Sequence, residues 1–286
     1  QRCGIPSVAI TTGLGHLFSF SNSIFKKLTG ALYRFALRYS KEVWFLNQAD
    51  LDTFVTNAIV SEEKTFLLPS EGININWFKP SRDPKDTIPL NFLFAGRIIW
   101  DKGLREFAEA AEAIQKIGPQ ANFQLLGFIY PSNPNAGPFD QIEKWQRQGV
   151  LQYLGETADV RPFIENAACL VFPSFYREGI SRILLEAAAM AKPIITTDNV
   201  GCHEVVEDGF NGYLCESKNS TDLINKIKTF LLLSTEERQQ MGRNGRKKII
   251  QEFDEEIVIR EYLQTLHKYL GKKPRSRSNS VIHKKN

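Results

Sequence analysis

The chain has 286 residues, of which 42% are hydrophobic and 24% charged, a length that suits two domains of about 100–200 residues each. This balance excludes wholesale disorder, collagen and coiled coil, and no apolar run approaches the roughly 20 residues that span a bilayer. The formal charge is +4, yet removing the six cations of the acid-free segment 271–286 leaves 30 cations against 32 acids, so the body is nearly neutral.

That segment, rich in Ser, Pro, Asn and Lys/Arg, is expected to be a disordered basic tail, either a solvated end or attracted to anionic headgroups. The chain opens on Gln1 and holds only Met190 and Met241, with no secretory signal before Pro6, so it is expected to be a fragment. Cys3, Cys169, Cys202 and Cys215 are scattered, with no CxxC, and fit reduced thiols rather than a disulfide framework or zinc site.

In chain order, VAITTG (8–13) is expected to be a strand. The next helix, within 21–41, carries Ile24, Phe25, Leu28, Leu32, Phe35 and Tyr39 at mostly three- and four-residue steps. Residues 1–41 hold Arg2, Lys26, Lys27, Arg34, Arg38 and Lys41 and no acid. Two readings stand together: a basic amphipathic helix on a membrane surface, and a domain helix whose stripe is core. EVWFLN (42–47) follows as a strand, ADLDTFVTNA (49–58) as a helix and KTFLLPS (64–70) as a third strand. Asp50 and Asp52 have the spacing of a metal-binding pair but fall in this helix and are read as solvated. The polar, proline-bearing stretch 79–88 is expected to be a linker.

Strands are then expected at 91–96, 122–127, 151–155, 169–174, 193–198 and 212–216, separated by helices at 104–118, 139–149, 159–168 and 181–191. A loop at 131–138 interrupts the alternation, and long helices fill 220–270. Apolar strands separated by helices indicate an α/β fold with doubly wound parallel sheets. The division expected is a partial N-terminal domain (1–84), a complete second domain (85–252), a helix crossing back (253–270) and the tail (271–286). Three strands before the linker against six after it reinforce the expectation of missing N-terminal sequence.

Three constellations carry chemistry. Gly96-Arg97 ends one strand, and Asp101-Lys102-Gly103 opens the next helix. Ligands of open α/β sheets bind beyond the carboxyl ends of strands, and an Arg and a Lys beside a helix start suit a diphosphate. In REGISRILLE, Glu178 and Glu186 would stand roughly 80° apart on one helix. Gly179 instead lets the chain turn, which leaves Glu178 in a loop and Glu186 one to two turns into the helix. The amides of Gly179 to Ile183 then point into the same cleft. A Glu within ILLEAAAMA needs a partner, a nearby Arg or a ligand. Finally, VGCHEVVEDGFNGYLC (200–215) brings another loop, with Glu204, to the same sheet edge.

These constellations, in this order, resemble the family 4 glycosyltransferases. GLGHLF (13–18), FLNQADLDTF (45–54), GININWF (72–78), YLGETADV (153–160), FPSFYREG (172–179) and the run from KPIITTD to EVVEDGFNGYL match as well. The likeness covers residues 5–270. Within the family it is nearest to bacterial enzymes that extend undecaprenyl-diphosphate-linked sugars, N-acetylgalactosaminyl- and galactosyltransferases of N-glycan, capsule or O-antigen assembly. The resemblance implies a GT-B fold, two Rossmann-like domains facing across a cleft, with the N-terminal one incomplete here. It implies a retaining transfer from a UDP-sugar to a lipid-linked glycan at the cytoplasmic face of the cell membrane, with no metal and no nucleic acid.

By the same resemblance, Arg97 and Lys102 neutralise the donor diphosphate, and Gly96 and Gly179 line the site. Glu178 holds the sugar hydroxyls with the amides of Ile180 and Ser181, those of Arg182 and Ile183 meet the phosphates, and Glu186 binds the ribose. One departure is Thr12, where many members carry a His before the Gly-Leu-Gly loop; His16 is not the matching residue. Two alternatives stay open: a non-catalytic nucleotide-sugar-binding remnant or partner subunit, and a nucleotide-sugar epimerase. A dinucleotide oxidoreductase is disfavoured, since Gly13-Leu14-Gly15 is only a fragment of GxGxxG.

Overall fold

Two parallel sheets face each other in a computed structural model that describes residues 5–14, 23–81, 88–118, 121–129 and 139–271. The first is built from β1 (Val8–Thr11), β2 (Glu42–Phe45) and β3 (Thr65–Leu67), in the order β1-β2-β3. Helices α1 (Ser23–Leu37) and α2 (Gln48–Thr56) fill the crossovers. Side chains alternate along β2, so its two faces feed two cores. Val43 and Phe45 pack with Phe54, Ile59 and Val60, whereas Trp44 and Leu46 pack with Leu68 and Val258.

The second sheet has six strands: β4 (Leu90–Ala95), β5 (Ala121–Leu126), β6 (Gln152–Tyr153), β7 (Cys169–Phe172), β8 (Ile194–Thr197) and β9 (Gly212–Cys215). Its order is β6-β5-β4-β7-β8-β9, and every pairing is parallel. Helices α3 (Leu104–Gln115), α4 (Phe139–Arg147), α5 (Arg161–Asn166), α6 (Arg182–Ala189) and α7 (Ser220–Leu232) alternate with these strands or follow them. Helices on both sides explain why β4 and β7 are near-continuous apolar runs. Phe92, Phe94, Phe107, Phe123 and Phe172 meet at ring separations of 5.3–5.5 Å in the middle of this core. Strand order reverses between β4 and β7, and such a switch point opens a crevice at the carboxyl ends of the strands.

Helices α8 (Thr235–Glu252) and α9 (Glu255–Leu270) close the chain. At their junction Ile73 donates its amide to the Phe253 carbonyl at 2.9 Å, and the Ile73 carbonyl accepts from Glu255 at 3.1 Å. Asn74 donates to the Glu255 carboxylate at 2.6 Å. The chain is redirected there, and α9 runs back along the first sheet, burying Val258 beside Trp44. From α8, Arg246 reaches the carbonyls of Ile75, Phe78 and Ala189 and pins the start of the linker.

The strands and helices expected from apolar spacing are present within a few residues of their expected ends. Two 3-10 turns, Glu62–Lys64 and Trp100–Lys102, were not expected. Most of the expected linker (82–87), the loop 131–138 and the tail after Gly271 lie outside the described residues. The same holds for Cys3 and His16.

Candidate active site

A cavity of about 800 Å³ opens at the switch point between β4 and β7. Arg97 follows Gly96 at the end of β4 and lines it. Lys102 ends the Trp100–Lys102 turn and is only 5% exposed. The turn exits through Gly103 at φ +80°, where a Cβ would stand 2.1 Å from the Pro173 carbonyl oxygen. Glycine is therefore required there, and Lys102 is delivered beside the loop that follows β7.

That loop carries Glu178, whose carboxylate forms an ion pair with Lys102. The Lys102 ammonium also lies 5.1 Å from the ring centres of Phe172 and Tyr176, and the Arg97 guanidinium stands 5.6 Å from the Tyr176 ring. Burial, and then the Arg97 charge, push the Lys102 pKa down to about 7. The paired Glu178 carboxylate acts in the opposite sense and favours the ammonium. Lys102 is buried and Arg97 exposed, and together they set two cations against one acid, which favours an anionic ligand.

The chain bends at Gly179, as expected, and Glu178 stays in the loop before α6. Gly179 has a further constraint: a Cβ there would stand 2.3 Å from the Thr12 carbonyl oxygen, so glycine is required by the close approach of the β1 end. The expectation for the Ser181 amide is corrected. It donates to the Gly201 carbonyl at 2.8 Å and is committed within the protein. Ser181 is 1% exposed and stands at the N-cap of α6, without a side-chain capping bond. Arg182 and Ile183 are the first two residues of α6, where backbone N–H groups have no partner within the helix. Both line the cavity, while Ile180 is half-buried beside it.

Glu186 also lines the cavity, and its carboxylate accepts from Arg182 Nε at 3.0 Å. Burial raises its pKa, and the Arg182 hydrogen bond opposes that rise. The arginine partner anticipated for this glutamate thus exists on the same helix, and it leaves the second carboxylate oxygen over the cavity.

The opposite wall is built from Gly127, Phe128, Glu156, Thr157, Ala158 and Val160. These were missed as site residues. The available signals were Gly127 at the end of β5 and the run YLGETADV, which stood out only as a resemblance.

Asp50 overturns its expected solvated state. It is 0% exposed, and Arg177 donates to its Oδ1 through Nε at 2.9 Å. Asp52 instead accepts from Gln48 on the helix surface at 2.7 Å. Cys169, Cys202 and Cys215 are free and buried. Among the described residues no three His, Cys, Asp or Glu side chains gather as a metal site.

Residues 76–248 match the family model described as "Glycosyl transferases group 1". The chain is 29% identical over 271 residues to the N,N'-diacetylbacillosaminyl-diphospho-undecaprenol alpha-1,3-N-acetylgalactosaminyltransferase of Campylobacter jejuni, an overlap of 90% of this chain and 69% of that protein. It is 28% identical over 168 residues to the capsular polysaccharide biosynthesis glycosyltransferase CapM of Staphylococcus aureus, across 59% of this chain and 43% of CapM. Among solved structures, Anabaena HepE in complex with UDP superposes with a TM-score of 0.76 at 21% identity, covering 92% of this chain and 72% of that one. The sucrose-phosphate synthase of Thermosynechococcus elongatus superposes with the same score at 19% identity, covering 95% and 70%. These neighbours share the two-domain fold that the sequence led us to expect.

Proposed function

The chain belongs to the glycosyl transferases group 1 family, and from that premise we propose that the cavity at the β4–β7 switch point holds a UDP-sugar donor. The observation that carries this reading is the placement of Arg97, Lys102 and the α6 N-terminus around one cavity of about 800 Å³. That volume suits a nucleotide sugar, and the charge suits its diphosphate.

In this reading Arg97 and Lys102 meet the diphosphate from one side and the amides of Arg182 and Ile183 from the other. Departure of UDP builds negative charge on the β-phosphate, and fixed cations and helix dipoles stabilise that charge without reorganising. The two side chains thereby supply what a divalent cation supplies in metal-dependent transfers. Glu178 stands beside Lys102 and holds sugar hydroxyls with the Ile180 amide. Glu186 accepts from the ribose hydroxyls, and the wall of Gly127, Phe128 and Glu156–Val160 receives the base. The transfer is of a hexosyl or N-acetylhexosaminyl group with retained configuration. UDP accompanies the Anabaena neighbour, and the Campylobacter relative's name states a diphospho-undecaprenol acceptor and an N-acetylgalactosaminyl group.

The acceptor proposed is a lipid-linked glycan in surface polysaccharide or glycan assembly, met at the inner face of the cell membrane. Helix α1 supports this reading. Leu28, Leu32 and Phe35 are 57–63% exposed on it and Tyr39, just past its end, is 50% exposed, with Lys27, Arg34 and Arg38 interleaved. An apolar stripe with basic flanks suits an anionic lipid surface. No helix among the described residues is long and apolar enough to cross a membrane.

Calorimetric titration with UDP in the presence of EDTA tests the donor site. Micromolar-to-millimolar binding is expected, lost in Arg97→Ala. Absence of binding by the folded chain, or binding that survives Arg97→Ala, would overturn the assignment.

A further inference from the structure

Four side chains of the first domain's cleft and the Arg-Glu-Gly loop of the second form one connected cluster. Asp50 lies in α2 and is completely buried. Its Oδ1 accepts from Arg177 Nε at 2.9 Å and from Nη2 at 2.7 Å. The same Nη2 donates to Thr53 Oγ1 at 3.2 Å. Asn47, the N-cap of α2, accepts from the Asp50 amide at 2.8 Å through Oδ1. Its Nδ2 donates to the Gly179 carbonyl at 3.0 Å and to Asp50 Oδ2 at 3.2 Å.

The residue between these two anchors is Glu178. Arg177 precedes it and is held by Asp50; the Gly179 carbonyl follows it and is held by Asn47. Glycines pack against the same peptide from both domains: a Cβ on Gly13 would lie 2.7 Å from the Gly179 nitrogen, and one on Gly201 would lie 2.9 Å from Glu178 Cβ. The backbone of Glu178 is thus clamped on both sides by α2, and its side chain is left to face Lys102.

We propose that Asp50 is a positioning residue for the Glu178 carboxylate, acting across the cleft through Arg177. The inference rests on the proposed donor site and adds that the first domain, which holds no donor residue in that reading, sets the sugar-holding half of it. A buried carboxylate faced by a planar guanidinium is a geometrically demanding pair, since the fork fixes direction as well as distance. When the domains separate, the Asp50–Arg177 pair and the Asn47–Gly179 bond break together, and Glu178 loses its orientation while Arg97, Lys102 and α6 keep theirs. UDP is then bound by the second domain alone, and the sugar is gripped only in the closed form.

The test titrates the full 286-residue chain with UDP and with UDP-glucose, UDP-galactose, UDP-N-acetylglucosamine and UDP-N-acetylgalactosamine. The quantity read is the factor by which the best sugar tightens binding over UDP. Asp50→Asn and Arg177→Lys are expected to leave the Kd of UDP within about twofold and to lose about fivefold or more of the sugar factor. The double variant is expected to lose no more than the worse single one, the signature of a pair acting as a unit.

A sugar factor that survives in either folded variant overturns the inference. So does a UDP Kd that worsens as much as the sugar factor, which marks a pair that only holds the fold together. If Asp50→Asn does not fold, Arg177→Lys keeps the buried charge paired and decides the matter. An unmutated chain that binds UDP but gains nothing from any sugar overturns the role of Glu178 and this inference with it. One that binds no UDP fails earlier, at the donor site.

Discussion

Lys102 and Glu178 form an ion pair at the mouth of the β4–β7 crevice, with 6% and 15% of their side chains exposed. Charges so far from water are tolerated because each answers the other, and removing one leaves a buried charge unpaired. Lys102→Met is therefore expected to destabilise the fold by about 2–4 kcal/mol and to weaken UDP binding at least tenfold. Glu178→Gln keeps the shape and a hydrogen-bond acceptor, so it should leave UDP affinity within a few-fold. Thermal unfolding and calorimetry on the two variants check both statements. Equal losses of UDP affinity would contradict the separate roles.

Burial, followed by Arg97, draws the Lys102 pKa down to about 7. A bound diphosphate adds negative charge beside the ammonium and moves that pKa back up. UDP is fully ionised at pH 8, so binding there should take up protons, by a fraction of one per site. The sign follows from linkage: the complex holds more protons than the free protein between the two pKa values, and affinity declines as pH rises above 7. Titration in two buffers of different ionisation enthalpy reads the uptake directly, and Lys102→Arg should abolish it. Proton release at pH 8 would refute the assignment.

Part of the cavity lining was legible because it stands just beyond two apolar strands. Gly96-Arg97 follows β4 and Glu178 follows β7, and chain order alone brings two such ends together once the sheet is parallel. Strands covered by helices on both faces write continuous apolar runs, which made β4, β7 and β8 plain. Asp50 was not legible. Its spacing described a helix correctly, but burial depended on Arg177, which is 127 positions away in sequence. Nor does spacing report that the Ser181 amide is taken by the Gly201 carbonyl, because loop-to-loop packing leaves no period. At Gly179 the bend was legible, but the close approach of the Thr12 carbonyl, a contact between domains, was not.

Glu186 offers a prediction specific to the ribose. Its carboxylate keeps one oxygen on Arg182 at 3.0 Å and lines the cavity. Glu186→Ala is expected to weaken UDP by about 1–3 kcal/mol, the worth of hydrogen bonds to a charged acceptor. The unmutated chain should bind 2',3'-dideoxy-UDP correspondingly more weakly than UDP, and the variant should bind the two alike. A variant that still distinguishes the two nucleotides would place the ribose elsewhere.

Gly179→Ala probes the contact between domains. The added methyl would meet the Thr12 carbonyl oxygen at 2.3 Å and the Leu46 side chain at 3.0 Å. The Thr12 backbone leaves little room to yield, so a cost of about 1–3 kcal/mol is expected at the domain contact rather than within either core. Limited proteolysis should then cut near the junction at 70–81 sooner than in the unmutated chain, while UDP affinity changes little. An unchanged digestion rate would show that the two domains do not depend on this approach.

Glu42 decides how firmly α9 returns to the first sheet. Its carboxylate accepts from Trp44 Nε1 at 2.8 Å, Lys268 Nζ at 2.5 Å and the Tyr269 hydroxyl at 2.8 Å. Burial opposes its ionisation, but the bonds from Lys268, Trp44 and Tyr269 outweigh burial and hold its pKa below the ordinary 4.5. A depressed carboxylate pKa contributes stability that is present above the unfolded value and lost as pH falls through the folded one. The anchor should therefore hold at neutral pH and loosen below about pH 4. Tyr262 packs against Trp44 with ring centres 5.2 Å apart one to two turns earlier, so the N-terminal part of α9 has a second hold that does not titrate in this range. Hydrogen exchange should then accelerate in Glu42→Ala at 263–270 and much less at 255–262. Uniform acceleration along α9 would mean that the aromatic contact contributes no separate hold, and that Glu42 alone fastens the helix.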